Sequence, residues 1–484
     1  MFSEKGTLVQ PDAVDEIVAK QNPEDYVRRL TGREEMPLFL DREFLQKLDG
    51  MQGGPVPIVP PIQPDILPAV RIPPTPKEAA HSPELPLPTS HFPPPTSHLP
   101  LPTSEIHAMH SPSSFSPVAR DYEADVRIIK DVTGNLSSTG SIQDFVTYFK
   151  DRYAKVKALL REKPSLSGAA PIASLKRLKS AEEVKLIGMV SESRITKNGH
   201  CMVTFEDETG TINALASKND GKMLAIASTL VKDEVVGVAG KFAGDGDLFI
   251  IKDVMRPDVP NNKTDHRSEA PVYAAFISDV HVGSNTFLKK EWQSFVSWLN
   301  GNSPSVRERE IIGRIKYLVV SGDLVDGIGI YPRQEEELEI RDIYAQYEEF
   351  ARMVDEIPEY VHIILQPGNH DAVRLAEPQP AFPDEIKKLF KRGNITFVGN
   401  PAYFSLHGVE VLSYHGRSMD DLIPALKLSW HDPISVMKNI LHRRHLAPIY
   451  GGKNQLAPES TDYMVIDSIP DIFVTGHVHV SGID

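Results

Sequence analysis

The chain opens with two short stretches of helical periodicity. Asp12-Ala-Val-Asp-Glu-Ile-Val-Ala-Lys and Asp25-Tyr-Val-Arg-Arg-Leu carry apolar residues three to four apart, which predicts a small helical module over residues 1–52. The periodicity then stops. From Pro55 to Pro117, 19 of 63 residues are proline, with Ser, Thr and His between them. Proline removes amide donors and blocks helix, so residues 53–120 read as a disordered, extended tether. Order is expected again from Asp121. The run Asp144-Phe-Val-Thr-Tyr-Phe-Lys-Asp-Arg-Tyr-Ala-Lys-Val-Lys-Ala-Leu-Leu predicts an amphipathic helix capped by Ser141, within a helical connector over 121–170.

Short alternating segments follow at Val184–Val190, Cys201–Phe205, Thr211–Leu215, Glu234–Ala239 and Leu248–Val254. A helical stretch at Lys222–Leu230 separates the third from the fourth, and Asn198-Gly199 suits a tight primed turn between the first two. Five strands with one helix there fit an OB-type β-barrel over residues 171–262. Such barrels often hold single strands on aromatic side chains. Only Phe205, Phe242 and Phe249 are available here, so a protein-docking barrel is at least as good a reading.

From Pro271 the pattern becomes strand–helix alternation. Apolar runs lie at Val272–Ile277, Tyr317–Val320, Val361–Leu365, Val409–Leu412 and Asp471–Val474, with helical stretches such as Lys289–Leu299 and Gln334–Val354 between them. This predicts an α/β domain over residues 270–484.

Composition changes the picture at four points. The 484 residues exceed one ordinary domain. Cys201 is the only cysteine, which excludes an internal disulfide framework and a thiolate-rich zinc site. The N-terminus lacks a signal-peptide core and no apolar run reaches spanning length, so a soluble cytoplasmic protein without membrane contact is expected. A net charge of −14 argues against a generally basic nucleic-acid coat, yet an acidic metal site counts as negative until its cations bind.

The chemistry gathers just past the apolar runs. Ser278-Asp279-Val280-His281 follows the first, and Ser321-Gly322-Asp323-Leu324-Val325-Asp326 the second. Pro367-Gly368-Asn369-His370-Asp371 follows the third, Ser413-Tyr414-His415-Gly416 the fourth, and Thr475-Gly476-His477-Val478-His479 the fifth. Five segments therefore put carboxylate, amide and imidazole groups past strand carboxyl ends, where open α/β sheets form their sites. Oxygen and imidazole ligands without thiolate suit Mn²⁺, Fe, Mg²⁺ or Zn²⁺. On extended backbone, the Asp-x-His and His-x-His spacings would send both side chains of each pair to one side.

The set Asp279-x-His281, Gly322-Asp323-x-x-Asp326, Gly368-Asn369-His370-Asp371, His415 and Gly476-His477-x-His479 resembles the calcineurin-like metallophosphoesterases. The order of modules resembles the small subunits of archaeal family-D DNA polymerases. Asp131-Val-Thr-Gly, the Asp144 helix, Gln366-Pro-Gly-Asn-His-Asp-Ala-Val-Arg and Tyr414-His-Gly-Arg-Ser-Met-Asp-Asp-Leu carry that closer likeness, which covers about residue 120 to the end and, more loosely, the first 50.

The resemblance implies a multidomain α+β chain: helical module, Pro-rich tether, OB-type barrel and a two-sheet α/β calcineurin-like phosphoesterase domain. That domain looks cut short, because the chain ends at Asp484, soon after His479. It further implies two divalent metal ions, Mn²⁺ foremost. One would be held by Asp279, His281, Asp323 and His479, the other by Asp323, Asn369, His415 and His477. His370, outside that set, would stabilise the phosphorane or protonate the leaving 3′-oxygen. Asp326 or Asp371 would orient an imidazole through its second nitrogen.

The implied activity is 3′→5′ exonucleolysis of DNA, with single strands preferred. Polymerisation would belong to a large catalytic subunit. DNA and the sliding clamp are further candidate partners. The alternatives are a non-catalytic scaffold, as in the eukaryotic polymerase relatives that have lost the ligands, and a free phosphodiesterase. Lys438, Arg443 and Arg444, with His442 and His445, form a candidate phosphate-contacting strip, a solvated helix face being equally good.

Overall fold

A computed structural model describes residues 115–178, 182–243 and 248–484, with two short strands nearer the N-terminus. The chain divides into two compact units, residues 1–105 and 106–484. In the first, β1 (Leu8–Val9) pairs in parallel with β2 (Phe39–Leu40). The expected helices at Asp12 and Asp25 and nearly all of the expected tether lie outside the described residues. Residues 115–120, read as the tether's end, are packed: Ala119 is fully buried and its amide donates to Gly313 O at 2.8 Å.

In the second unit, β3 (Val126–Asp131) precedes helix α1 (Ile142–Arg161). Ser141 caps α1 as the sequence predicts. Its hydroxyl accepts from the Asp144 amide at 3.2 Å, and the Asp144 carboxylate accepts from the Ser141 amide at 3.0 Å. Residues 121–170 are thus more than a helical connector, because β3 joins a sheet with strands some 270 residues away in sequence. Its exposed Ile128 and Ile129 break the alternation expected of a half-buried strand, which hid it from the pattern.

After α2 (Ile172–Leu178) come β4 (Val184–Ile195), β5 (Cys201–Asp207), β6 (Gly210–Ala216), α3 (Gly221–Ala227), β7 (Val235–Phe242) and β8 (Phe249–Met255). The five strands close into a barrel in the order β4-β5-β6-β8-β7. Val203, Phe205, Ile212, Val238 and Phe249 fill it. The β4–β5 hairpin departs from the expected two-residue primed turn. Only Gly199 has positive φ, at +82°, and the Thr196 amide pairs with His200 O at 2.8 Å. Lys197-Asn198-Gly199 is therefore a three-residue loop with glycine at its left-handed position.

The remaining elements are β9 (Tyr273–Ile277), α4 (Lys289–Leu299), α5 (Val306–Ile312), β10 (Ile315–Ser321), α6 (Ile343–Asp355), β11 (His362–Gln366), α7 (Asp384–Lys387), β12 (Ile395–Phe397), β13 (Ala402–Leu406), β14 (Val409–Ser413), α8 (Met419–Leu426), α9 (Pro433–Arg443) and β15 (Ile472–Val474). They form a wholly parallel sheet, β12-β11-β10-β9, and a mixed one, β15-β14-β13-β3. Tyr317, Val319 and Ile364 from the first meet Phe404, Leu406 and Val411 from the second. The opposite faces are covered by helices. Leu318, Val320, Ile363 and Leu365 pack on Trp292, Tyr347 and Phe350, while Leu412 packs with Met419, Leu422, Val436 and Ile440. β10 is buried on both faces, which explains its unbroken apolar run.

The long helix expected over Gln334–Val354 is interrupted. Only Gln334–Glu336 forms a 3₁₀ turn before α6 starts at Ile343. Between them the backbone is diverted to another loop: the Glu339 and Ile340 amides donate to Gly283 O, and Glu337 O accepts from the Asn285 amide. Asp342 then caps α6 through the Ala345 amide at 2.8 Å.

Helix α1 ties the barrel to the two-sheet part. Tyr153 donates to Ile187 O on β4 at 2.8 Å, and Arg152 pairs with Asp462 at 2.8 Å, both side chains being buried. A second tie joins Glu234, beside β7, to Arg256 at 2.6 Å and Arg443 at 3.3 Å. Among the described residues no helix is long and apolar enough to cross a membrane.

Candidate metal centre

The parallel strands β9, β10 and β11 end together, and β14 and β15 end beside them. Asp279 and His281 follow β9, Asp323 follows β10, Asn369 and His370 follow β11, His415 follows β14, and His477 and His479 follow β15. Donor atoms of Asp279, His281 and His479 lie within 4.8 Å of one another, as do those of Asp323, His415 and His477. Asp323, a member of the second trio, also approaches the first, its Oδ2 3.7 Å from His281 Nε2 and 3.1 Å from His415 Nε2. Asn369 Oδ1 lies 3.1 Å from the same His415 nitrogen. All seven residues proposed as ligands thus converge on one cluster.

They do not converge on extended backbone, as the alternation argument supposed. Asp279, His281, Asp323, His477 and His479 all have left-handed φ, between 52° and 72°. Side chains with a Cβ occupy that region at a cost of about 1 kcal/mol or more, and such conformations gather at functional sites. The turns are held by hydrogen bonds between loops. The Asp279 amide donates to Gly322 O at 3.0 Å, the His281 amide to Asp323 O at 3.1 Å, and the His477 amide to Asp279 Oδ1 at 2.9 Å. Gly368 permits a close approach: a Cβ there would stand 2.2 Å from Asp323 Oδ1.

The outer ring nitrogens have defined partners. His281 Nδ1 is 3.2 Å from Asp326 Oδ1, so Asp326 sits where an imidazole-orienting carboxylate was expected. Asp371 does not. It accepts from the Gly368 and Leu324 amides and from the Tyr347 hydroxyl, fastening two ligand loops instead of an imidazole. Two contributors were missed from the sequence. Asp420, on the first turn of α8, lies 3.1 Å from His477 Nε2, and the Ser278 hydroxyl donates to Asp279. Asp420 belongs to the Tyr414–Leu422 segment, but nothing in its spacing marks it as a neighbour of a histidine 57 residues later.

The electrostatics separate the histidines. Burial would push His415 down, yet the Asp323 and Asp279 carboxylates raise it to about 10. His281 is likewise raised: burial opposes, and Asp326, Asp323 and Asp279 prevail. Burial would raise Asp323, but His415, His370 and His281 hold it far below the usual carboxylate range. His370 differs from the others, since burial leaves its imidazole below its ordinary value despite nearby Asp323. Asp371 is pushed up to about 7 by burial and by the charge of Asp323.

These residues fit divalent cations. His415 Nδ1 faces Ser321 O at 3.0 Å, and a carbonyl only accepts, so Nδ1 carries hydrogen. Its Nε2 is then turned on Asp323 Oδ2 and Asn369 Oδ1, both acceptors. Three electron-pair donors facing one another need a cation among them, either a proton or a metal ion.

The basic strip expected at Lys438–His445 is not a surface strip. Arg443 and Arg444 are buried; Arg443 binds Glu234, Asn439 and Thr229 O, while Arg444 binds Ile466 O and Asp467 O. Main-chain carbonyls inside a fold need donors, and these guanidiniums supply them. Neither is therefore free for DNA phosphate. Lys438 is half-exposed and pairs with Asp484 at 3.0 Å. A further trio, His266, Glu410 and Asp471, lies near β14 and β15, but Lys263 already neutralises Asp471.

Residues 274–481 match the family of DNA polymerase alpha/epsilon B-type subunits. The chain is 42% identical over 75% of its length to the DNA polymerase II small subunit of Methanocaldococcus jannaschii, spanning 62% of that relative. It is 45% identical over 74% of its length to the one from Archaeoglobus fulgidus, of which it spans 71%. With the Methanothermobacter thermautotrophicus protein it shares 44% identity over 75% of this chain and 74% of the relative. A solved asparaginyl-tRNA synthetase from Pyrococcus horikoshii aligns at 18% identity over 18% of this chain and 22% of its own, with a TM-score of 0.17 that carries no weight. On the strength of the sequence relatives, the chain belongs to the family of DNA polymerase II small subunits.

Proposed function

We propose that this chain is the 3′→5′ exonuclease subunit of a two-subunit family-D DNA polymerase, hydrolysing phosphodiester bonds with two divalent cations, Mn²⁺ foremost. The observation that carries the reading is the meeting of Asp279, His281, Asp323, Asn369, His415, His477 and His479 at the shared carboxyl ends of two sheets, with Asp323 of one trio approaching the other. The two-sheet arrangement supports a calcineurin-like phosphoesterase domain, and the barrel order β4-β5-β6-β8-β7 supports an OB-type module. A scaffold would have no use for five left-handed ligand residues.

When bound, two cations supply charge neutralisation at the phosphodiester and a lowered pKa for the attacking water. The protein's own groups do the rest. Asp326 holds the His281 ring and Ser321 O holds the His415 ring, so both present Nε2 inward. His370 is placed for proton transfer. Its Nδ1 lies 2.7 Å from Asp326 O, a carbonyl, so Nδ1 carries hydrogen and Nε2 is free to take a proton and pass it to the departing 3′-oxygen. The His370 amide donates to Asp323 Oδ1 at 2.8 Å, locking that ring's loop to the Asp323 carboxylate.

Nucleotide polymerisation falls to a large catalytic partner subunit, with the sliding clamp a further partner. The test uses the full chain and its His370→Ala variant, stripped of metal and then given Mn²⁺, on 3′- and 5′-labelled single-stranded DNA. Stepwise shortening from the 3′ end, lost in the variant while its Mn²⁺ content is unchanged, is the expected result. No cleavage by the unsubstituted chain with Mn²⁺ bound, alone and with the large subunit added, overturns it.

A further inference from the structure

A run of rings crosses the ligand cluster. His479 and His281 have centroids 4.9 Å apart, and His281 and His370 are 4.6 Å apart, edge to face. Tyr331 continues the run 6.4 Å beyond His370. The first three rings have metal-binding or proton-transfer roles under the proposed function. Tyr331 has none, and it is 37% exposed beside the reacting groups.

The ring is held in place. Its hydroxyl donates to Glu337 at 2.9 Å. The loop carrying it, from Asp326 to Arg333, is pinned by buried glutamines. Gln334 donates to Asp326 O at 2.8 Å and accepts from the Ile330 amide at 2.9 Å, while Gln346 accepts from the Gly327 amide at 2.9 Å. Ile328, also exposed, lies on the same loop. The neighbouring surface charge does not favour a phosphate there, since Glu335, Glu336 and Glu337 are exposed beside the single Arg333. A rigid, half-exposed ring among acidic groups suits an uncharged planar ligand. On a nucleic-acid substrate that ligand is a base.

We propose that Tyr331 is the stacking platform for the nucleobase next to the scissile phosphate, making it a specificity-determining residue for base-bearing 3′ ends. The inference rests on the exonuclease reading and deepens it. Stacking is indifferent to which base is present, because every base has a π-face, so the platform reads the presence of a base and not its identity.

The test separates binding from cleavage. Dye-labelled single strands ending in either a normal 3′ nucleotide or a tetrahydrofuran abasic residue are titrated with the full chain in Ca²⁺, and then cleaved in Mn²⁺. The unsubstituted chain is expected to bind the base-bearing end on the order of tenfold more tightly than the abasic one. Tyr331→Ala removes that difference by weakening only the base-bearing strand. Tyr331→Phe keeps it, because the ring remains. Equal binding of both ends by the unsubstituted chain, or an equal loss on both strands in Tyr331→Ala, overturns the proposal. Preserved discrimination in binding without cleavage in Mn²⁺ leaves the platform standing and counts against the exonuclease reading instead.

Discussion

His281 Nδ1 stands 3.2 Å from the carboxylate of Asp326, three residues past Asp323, and this contact decides which nitrogen faces the cluster. A carboxylate in that position orients the ring and raises its basicity. Asp326→Asn should lower Mn²⁺ affinity on the order of 10–100-fold while the fold stays intact. Calorimetric Mn²⁺ titration checks this, and an unchanged affinity would remove Asp326 from the site.

Gly368 is a tight point of the cluster, because any Cβ would collide with Asp323 Oδ1 and the Asp323 amide at 2.2 and 2.6 Å. Backbone and a buried carboxylate cannot give way cheaply. Gly368→Ala is expected to displace Asp323, reduce bound Mn²⁺ below two per chain and abolish cleavage. Metal content by elemental analysis is the readout.

Arg152 and Asp462 form a buried pair joining α1 to the two-sheet part, with His445 Nε2 2.9 Å from the same Asp462 oxygen. Removing one member leaves a buried charge uncompensated. Arg152→Ala should cost about 3–5 kcal/mol, read by denaturant unfolding.

The same network makes stability depend on pH. Burial, and then the charge of Arg152, hold His445 down at about 4, against an ordinary value of 6.5. Above 6.5 the ring is neutral both folded and unfolded, and its contribution is complete. Between 6.5 and 4 the unfolded chain takes up a proton that the native state refuses, so stability falls as pH falls, by on the order of 3 kcal/mol. Unfolding midpoints across that window should drop, and His445→Gln should flatten the drop.

Because Arg443 lies between Glu234 and main-chain carbonyls, Arg443→Gln should loosen the barrel from α9 and lower the unfolding temperature. Single-strand affinity of the folded protein should not change. Lys438→Ala, at the half-exposed pair with Asp484, should alter neither. A lowered salt slope of DNA binding in either variant would restore the basic strip.

Much was legible before any fold was known. The barrel strands and the apolar runs of β9, β10, β11 and β14 could be read from the chain, because burial leaves a periodic mark, and the seven residues that meet past those strands were named by the likeness of their motifs to a known family. Local sequence also determined the α1 cap, since Ser141 and Asp144 need only each other. What the tertiary structure alone decided is long-range. β3 is a strand only because β13 lies beside it, and the helix expected at Gln334 breaks because Gly283 competes for its amides. Arg443 and Arg444 look like surface cations until the fold buries them against Glu234 and Ile466 O. Asp420 meets His477 across 57 residues, and Tyr331 becomes the ring next to His370 through a loop pinned by Gln334 and Gln346. Periodicity and residue chemistry are properties of neighbours in sequence, whereas partners for a buried charge or an exposed ring are set by whichever distant segments the packing brings alongside.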